Sequence, residues 1–273
     1  MRLFSLTLFI LLTIISCNVD DTEMQIIDNE NCVSTPFYEI IDTNSTSLQI
    51  ACECDNHLID LSTQLLPYGN IWSLHYLCDT EQFDKIPTMP NVTHLTSEVL
   101  TANVLAFPNL EVFRNESFME TPLPYQLRFL TKLREMTLYN VSSFPNILGD
   151  IPLETFKLSY ERTALHPTIS VPSNLSQLKN LTELSLKNMD LVLFTDYENL
   201  QDLEHLSIKN TTLARIPSSP NQWSKMKTIE MTEVDFRGNL SNFFGDMDSL
   251  KTAYFSEMQL NETAQKIFTK RQI

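Results

Sequence analysis

Glycine is scarce in this chain, four residues in 273. Neither GxGxxG nor GxxxxGK(S/T), the loops that cradle phosphates with backbone amides, is present. Positive charge is short as well. Nineteen lysines and arginines stand against 34 aspartates and glutamates, a formal net charge of −15. That balance excludes nucleic acid as an expected partner, because phosphate backbones demand a basic stripe, and it disfavours docking of the folded surface on anionic lipid. Histidine is limited to His57, His75, His94, His166 and His205. They do not form a nucleophile–base constellation with the many carboxylates, so no catalytic residue, no cofactor and no enzymatic activity is expected. No apolar run reaches the roughly 18 residues of a membrane-spanning helix.

What is present begins with an export signal. Met1 and Arg2 give a short positive start, and Leu3 to Ile15 is an almost unbroken apolar run, the length of a signal h-region. Ile14, Ile15, Ser16 and Cys17 resemble a bacterial lipobox, in which the cysteine is lipidated and becomes the mature N-terminus; the acidic stretch from Asn18 to Glu23 suits a tether. The alternative is an ordinary secretory signal cleaved beside Ser16 or Cys17. Cleavage after Cys17 or lipidation on it leaves Cys32, Cys52, Cys54 and Cys78, an even set for an oxidising compartment. The expected location is therefore extracytoplasmic: a cell-surface lipoprotein whose only membrane contact is the lipid at Cys17, with a secreted glycoprotein as the alternative.

The dominant feature is a period. An LxxLxL pattern recurs at Leu133/Met136/Leu138, Leu153/Phe156/Leu158, Leu181/Leu184/Leu186, Leu203/Leu206/Ile208, Met226/Ile229/Met231 and Leu250/Ala253/Phe255, with weaker copies from Ile71, Val92 and Leu110. Positions 4 and 6 are two apart, so on a strand both point to one face. One such unit cannot bury that face alone, whereas stacked units share a continuous core. Leu191, Leu213, Phe236 and Leu260 supply a further inward position, and the Phe144–Pro145 and Ile216–Pro217 pairs bend the return segment.

Over roughly residues 70–262 this resembles the leucine-rich-repeat superfamily. The resemblance implies an α/β solenoid, a horseshoe with a parallel β-sheet on its concave face and short helical turns or loops on the convex face. The family places asparagine at position 9, where its amide ties adjacent turns; here Val141, Met189, Thr211, Val234 and Met258 occupy that position. The expectation is an array lacking its asparagine ladder, whose turn backbones find other partners or water.

The implied organisation is a signal peptide over 1–17, an acidic tether over 18–30, a cysteine-containing N-terminal cap over 31–78, repeats over 79–262 and a C-terminal cap or tail over 263–273, built around Ala264, Ile267 and Phe268. Cys52 and Cys54 are an i, i+2 pair that faces one side of a strand, each within reach of a partner from Cys32 and Cys78; four cysteines allow three connectivities. A metal site from Cys52, Cys54, Cys78 and His57 or His75 lacks the paired CxxC spacing of zinc modules, and none is expected. Nine Asn-x-Ser/Thr sequons occur, at Asn44, Asn91, Asn115, Asn140, Asn174, Asn180, Asn210, Asn239 and Asn261. Asn115 falls at an inward position, and Asn140 and Asn210 fall just after strands.

Outward positions 5 and 7 make two ladders on the expected concave face: Thr137, Lys157, Ser185, Ser207, Glu230 and Tyr254, then Tyr139, Ser159, Lys187, Lys209, Thr232 and Ser256. Lys157, Lys187 and Lys209 form a basic patch on an acidic chain, flanked by Tyr139 and Tyr254, with His205 and Glu230 also outward. Such a patch attracts an acidic protein loop first, and an anionic glycan as the alternative. Two further readings are an envelope-organising protein whose sheets stack on their own kind, and an inhibitor of secreted hydrolases by analogy of fold alone.

Overall fold

The computed structural model describes residues 37–40, 47–51, 71–77, 80–117, 121–143, 147–160, 168–169, 178–191, 200–213, 223–236, 247 and 249–258. Within them, β1 (Phe37–Ile40) pairs antiparallel with β2 (Ser47–Ala51), covering that strand's outer edge. From β2 onward the strands stack parallel in chain order: β3 (Ser73–Leu77), β4 (His94–Ser97), β5 (Val112–Asn115), β7 (Glu135–Tyr139), β9 (Thr155–Ser159), β11 (Glu183–Leu191), β12 (His205–Leu213), β13 (Thr228–Phe236) and β14 (Thr252–Ser256). Two short strands, β6 (Thr121–Pro122) and β8 (Val141–Ser143), form a separate parallel pair, and β10 (Thr168–Ile169) pairs with the end of β11. All nine repeat units read from the sequence have their strand, and β2 adds a tenth ahead of them.

The register explains why this sequence stacks. Position 4 of every unit lies opposite position 4 of the next, giving the column Leu48, Leu74, Leu95, Phe113, Met136, Phe156, Leu184, Leu206, Ile229 and Ala253. These side chains are buried in one continuous core up to Ile229, while Ala253 in β14 is half-buried. Burying a large aliphatic or aromatic side chain contributes about 1.5–3 kcal/mol, so the column is the main stabilising element. Position 1 is buried from Ile71 to Met226. Before most strands its amide bonds the carbonyl three residues back, as from Leu110 to Phe107, Leu181 to Leu178 and Met226 to Trp223. That small turn seats another buried column, Phe107, Leu130, Leu178, Leu200 and Trp223, behind the sheet. Among the described residues the connections carry a four-residue helix, α1 (Thr80–Phe83), and 3-10 turns at Ala102–Ala106, Tyr125–Phe129 and Leu148–Asp150, the short convex elements expected.

The missing asparagine ladder is a correction. Asparagine stands one position earlier, at position 8, where Asn140, Asn188 and Asn210 have φ of 49°, 59° and 47°. Asn is one of the few non-glycine residues at home in the left-handed region. The left-handed residue swings the strand around a corner, so that position 9 also turns inward: Val141, Met189, Thr211 and Val234 are buried there. The amides then tie unit to unit. Asn140 Nδ2 donates to Ser117 O at 3.2 Å, Asn188 Nδ2 to Tyr160 O at 2.6 Å, and Asn210 Nδ2 to Asn188 Oδ1 at 3.0 Å. Two turn carbonyls, Ser117 O and Tyr160 O, thus accept from the asparagine of the next turn. Glu233 and Glu257 occupy the same place in the last two units, at φ 55° and 51°.

The inward placement of Asn115 is borne out. It is 1% exposed and donates to Ser97 O at 3.3 Å, in a column where Ser97 is buried too. Asn140 is 7% exposed with its amide engaged. A glycan on either nitrogen is incompatible with this packing, whereas Asn91 and Asn180 are exposed. The signal over 1–17, Cys17, the tether over 18–30, Cys32, Cys52, Cys54, Cys78, His57, His166, Phe144–Pro145, Ile216–Pro217, the segment 263–273 and the sequons at Asn44, Asn174, Asn239 and Asn261 lie outside the described residues.

Candidate functional site

The sheet face away from the core carries the candidate site. The pairings bring the two expected ladders together as continuous rows: Thr137, Lys157, Ser185, Ser207, Glu230, Tyr254 along position 5, and Tyr139, Ser159, Lys187, Lys209, Thr232, Ser256 along position 7. Neighbours within a row are about 4.8 Å apart, the spacing of adjacent strands. Tyr139 and Tyr254 are 40% and 55% exposed, large amphipathic rings at the two ends of the patch.

Charge on this face divides into neutralised and free. Lys157 Nζ lies 2.7 Å from Glu183 Oε1 on the next strand, so one member of the expected three-lysine patch is already compensated. At the strand entries, Arg134 pairs with Glu154 at 3.0 Å, Lys225 with Asp202 at 2.5 Å and Lys227 with Glu204 at 2.5 Å. The hydrogen bond from the Lys227 ammonium holds the Glu204 carboxyl below its usual range despite partial desolvation, and the Asp202 carboxylate raises Lys225. Lys187 and Lys209 differ. They are exposed and directly opposite in register, and among the described residues neither ammonium has an ion-pair partner. Like charges so placed repel by on the order of 1 kcal/mol in water.

His205 lies outward on β12, its Nε2 4.0 Å from Glu204 Oε2, and Glu230 is exposed on β13. The other end of the face holds groups that periodicity does not single out. Trp72, at position 2, is exposed with its ring edge-on to His94 at 4.8 Å, and His75 Nε2 is 3.8 Å from Glu116 Oε2. A repeat pattern ranks inward positions and has no handle on an aromatic at the strand entry. An open cleft of about 610 Å³ is lined by Gly149, Asp150, Ile151, Pro152, Lys179 and Asn180, turn residues that share nothing with the sheet site. Among the described residues no group of three or more His, Cys, Asp and Glu side chains is placed to hold a metal ion, and no helix is long and apolar enough to cross a membrane.

Among solved structures, the chain is similar to an internalin of Listeria monocytogenes at 18% identity and a TM-score of 0.53, over 73% of this chain and 58% of that one. It also aligns with internalin C2 of the same organism (17%, TM-score 0.47, 67% of this chain and 77% of that one) and with a leucine-rich-repeat protein of Leptospira interrogans (18%, 0.47, 74% and 59%). The chain thus spans less than two thirds of the length of the first of these. No protein-family model and no curated protein matches it. At such identities the likeness speaks for the fold alone, and the fold is a leucine-rich-repeat solenoid.

Proposed function

We propose that this solenoid is a non-enzymatic, extracytoplasmic recognition protein whose concave sheet face binds an acidic segment of a protein partner. The observation that carries the reading is the pair Lys187 and Lys209, opposite in register and without an ion-pair partner among the described residues, on a chain of net charge −15. Two cations held in register by a rigid sheet cost stability and return it only when an anion arrives. Lys157 and His205 border the pair, Glu230 sets a negative limit on one side, and Tyr139 and Tyr254 supply amphipathic contacts at the ends.

The test is charge reversal. Lys187→Glu with Lys209→Glu changes two exposed side chains, so folding is retained while the local charge inverts by four. Partner capture from the native extracellular milieu, read by mass spectrometry, is expected to fall at least about tenfold, a loss of about 1.4 kcal/mol or more. Capture at the wild-type level would sink the reading.

The same proposal covers the ends of the chain. Residues 1–17 direct export, Cys17 carries the lipid that anchors the protein, 18–30 tether it, disulfides among Cys32, Cys52, Cys54 and Cys78 staple the N-terminal cap region 31–78, which also carries the first two repeat strands β2 and β3, 79–262 form the remaining repeats, and 263–273 form a C-terminal cap or tail. Its support is the apolar leader, the lipobox-like residues and the even cysteine count. Intact mass of the native protein is expected to show a diacyl or triacyl adduct on Cys17. Heterogeneous mass that glycosidase removes would replace the anchor with the secreted glycoprotein.

A further inference from the structure

Ser185, Ser207, Lys187 and Lys209, four side chains with donors on two adjacent strands, face the same way, and among the described residues none of them has a side-chain partner. Ser185 stands opposite Ser207, and Lys187 opposite Lys209. Among the described residues neither ammonium has an ion-pair partner and neither serine hydroxyl a hydrogen bond. Hydroxyls nearby are engaged: Thr182 Oγ1 donates to Glu154 O at 3.0 Å, Thr211 Oγ1 to Lys209 O at 2.9 Å, and Ser256 Oγ to Thr232 Oγ1 at 3.3 Å. The four residues mark the corners of a cell of about 4.8 Å across the strands by about 6.6 Å along them. The serines are half-buried and short, the lysines exposed and long, so the lysines rise over a low floor. Ser159 and Thr232 flank the lysines in their row, and no bulky side chain stands directly beside either.

The geometry points to a binding site in this cell for a single phosphate monoester group, an inference that rests on the concave-face reading and names what that face recognises. A phosphate monoester carries a charge of about −1.5 to −2 at neutral pH and three strong acceptor oxygens, which neutralises both lysines at once and offers oxygens to the two hydroxyls. Charge-assisted contacts of about 2.7–2.9 Å from the corners of such a cell converge on a group of that size. A carboxylate brings one charge and two coplanar oxygens, leaving one ammonium uncompensated. The borders limit the ligand further. Glu183, already paired with Lys157, stands at the entry of β11, and Glu230 ends the serine row, so a compact dianion is accepted and an extended polyanion repelled.

The test uses two isosteric probes, p-nitrophenyl phosphate and p-nitrophenyl sulfate, titrated calorimetrically into the full-length protein at about pH 8. The two esters share a shape and differ in charge. Saturable one-to-one binding of the phosphate, at least about fivefold tighter than the sulfate, is expected. It should weaken about tenfold or more in Lys187→Gln/Lys209→Gln and about two- to fivefold in Ser185→Ala/Ser207→Ala. Equal affinity for both esters, or phosphate binding that survives in the lysine double variant, overturns the site. With the site in place, a preference between phosphoserine and glucose 6-phosphate identifies the carrier as protein or sugar. The outcomes also separate the two claims. Lost partner capture on charge reversal, with both esters bound alike, leaves the concave-face reading standing and removes the phosphate site; unchanged capture with lysine-dependent phosphate binding does the opposite.

Discussion

Replacing Phe156 by alanine is expected to cost about 3–5 kcal/mol, the usual penalty for emptying a fully buried aromatic position. Phe156 is fully buried at position 4 of β9 and lies opposite Met136 on one side and Leu184 on the other. Its removal therefore opens two inter-unit interfaces at once, and in a stacked array stability is close to a sum of such nearest-neighbour terms. Against a total of roughly 5–15 kcal/mol for a typical domain, the loss is large. Urea denaturation reads the lowered midpoint. Hydrogen exchange should rise in β7, β9 and β11 while β13, three stacked interfaces from the cavity's own strand by way of β11 and β12, stays near wild type. A loss under about 1 kcal/mol, or exchange raised evenly along the stack, would contradict a core built unit upon unit.

The second large effect is at the corner. Asn188 is 5% exposed, left-handed at φ 59°, and bonded on both sides, donating to Tyr160 O and accepting from Asn210 Nδ2. Asn188→Ala forces a Cβ-bearing residue without local hydrogen bonding into that conformation, at about 1–2 kcal/mol, and breaks the hydrogen bonds to Tyr160 O and from Asn210 Nδ2, at about 0.5–1.5 kcal/mol each. The expected sum is about 2–5 kcal/mol. Asn188→Gly loses the same bonds but tolerates the backbone, so it should recover roughly 1 kcal/mol of the loss. Identical unfolding midpoints for the two variants would show that the left-handed turn is not what asparagine supplies here.

These two positions also mark how far the chain can be read without coordinates. Phe156 was legible because period and burial coincide: a residue two before Leu158 on a strand has one face to occupy. The rows of outward residues followed from the same arithmetic, which is why Lys187 and Lys209 emerge as neighbours. The role of Asn188 is not legible from the family pattern, which points to Met189 at position 9, although asparagine's tolerance of positive φ is a signal at position 8. Strand β2 was missed for a different reason. Its unit shows only Leu48 and Ile50, with Ser45 where a large apolar residue stands in later units, and its partner β1 comes from outside the repeat. The compensation of Lys157 by Glu183 joins position 5 of one unit to position 3 of the next, a diagonal set by side-chain conformation that no one-dimensional period encodes.

The steps between successive position-4 residues vary from 18 residues, Leu95 to Phe113, to 28, Phe156 to Leu184. Every strand nevertheless meets its neighbour in the same register, so the whole variation is absorbed in the connecting halves. Insertions and deletions there are tolerated without moving any outward residue relative to another, whereas a single residue gained inside a strand would turn its outward face inward. Lys187 and Lys209, 22 positions apart along the chain, sit one strand apart because of this. Each unit's return path is thus free to drift over generations while the spacing of the charges on the sheet stays constant.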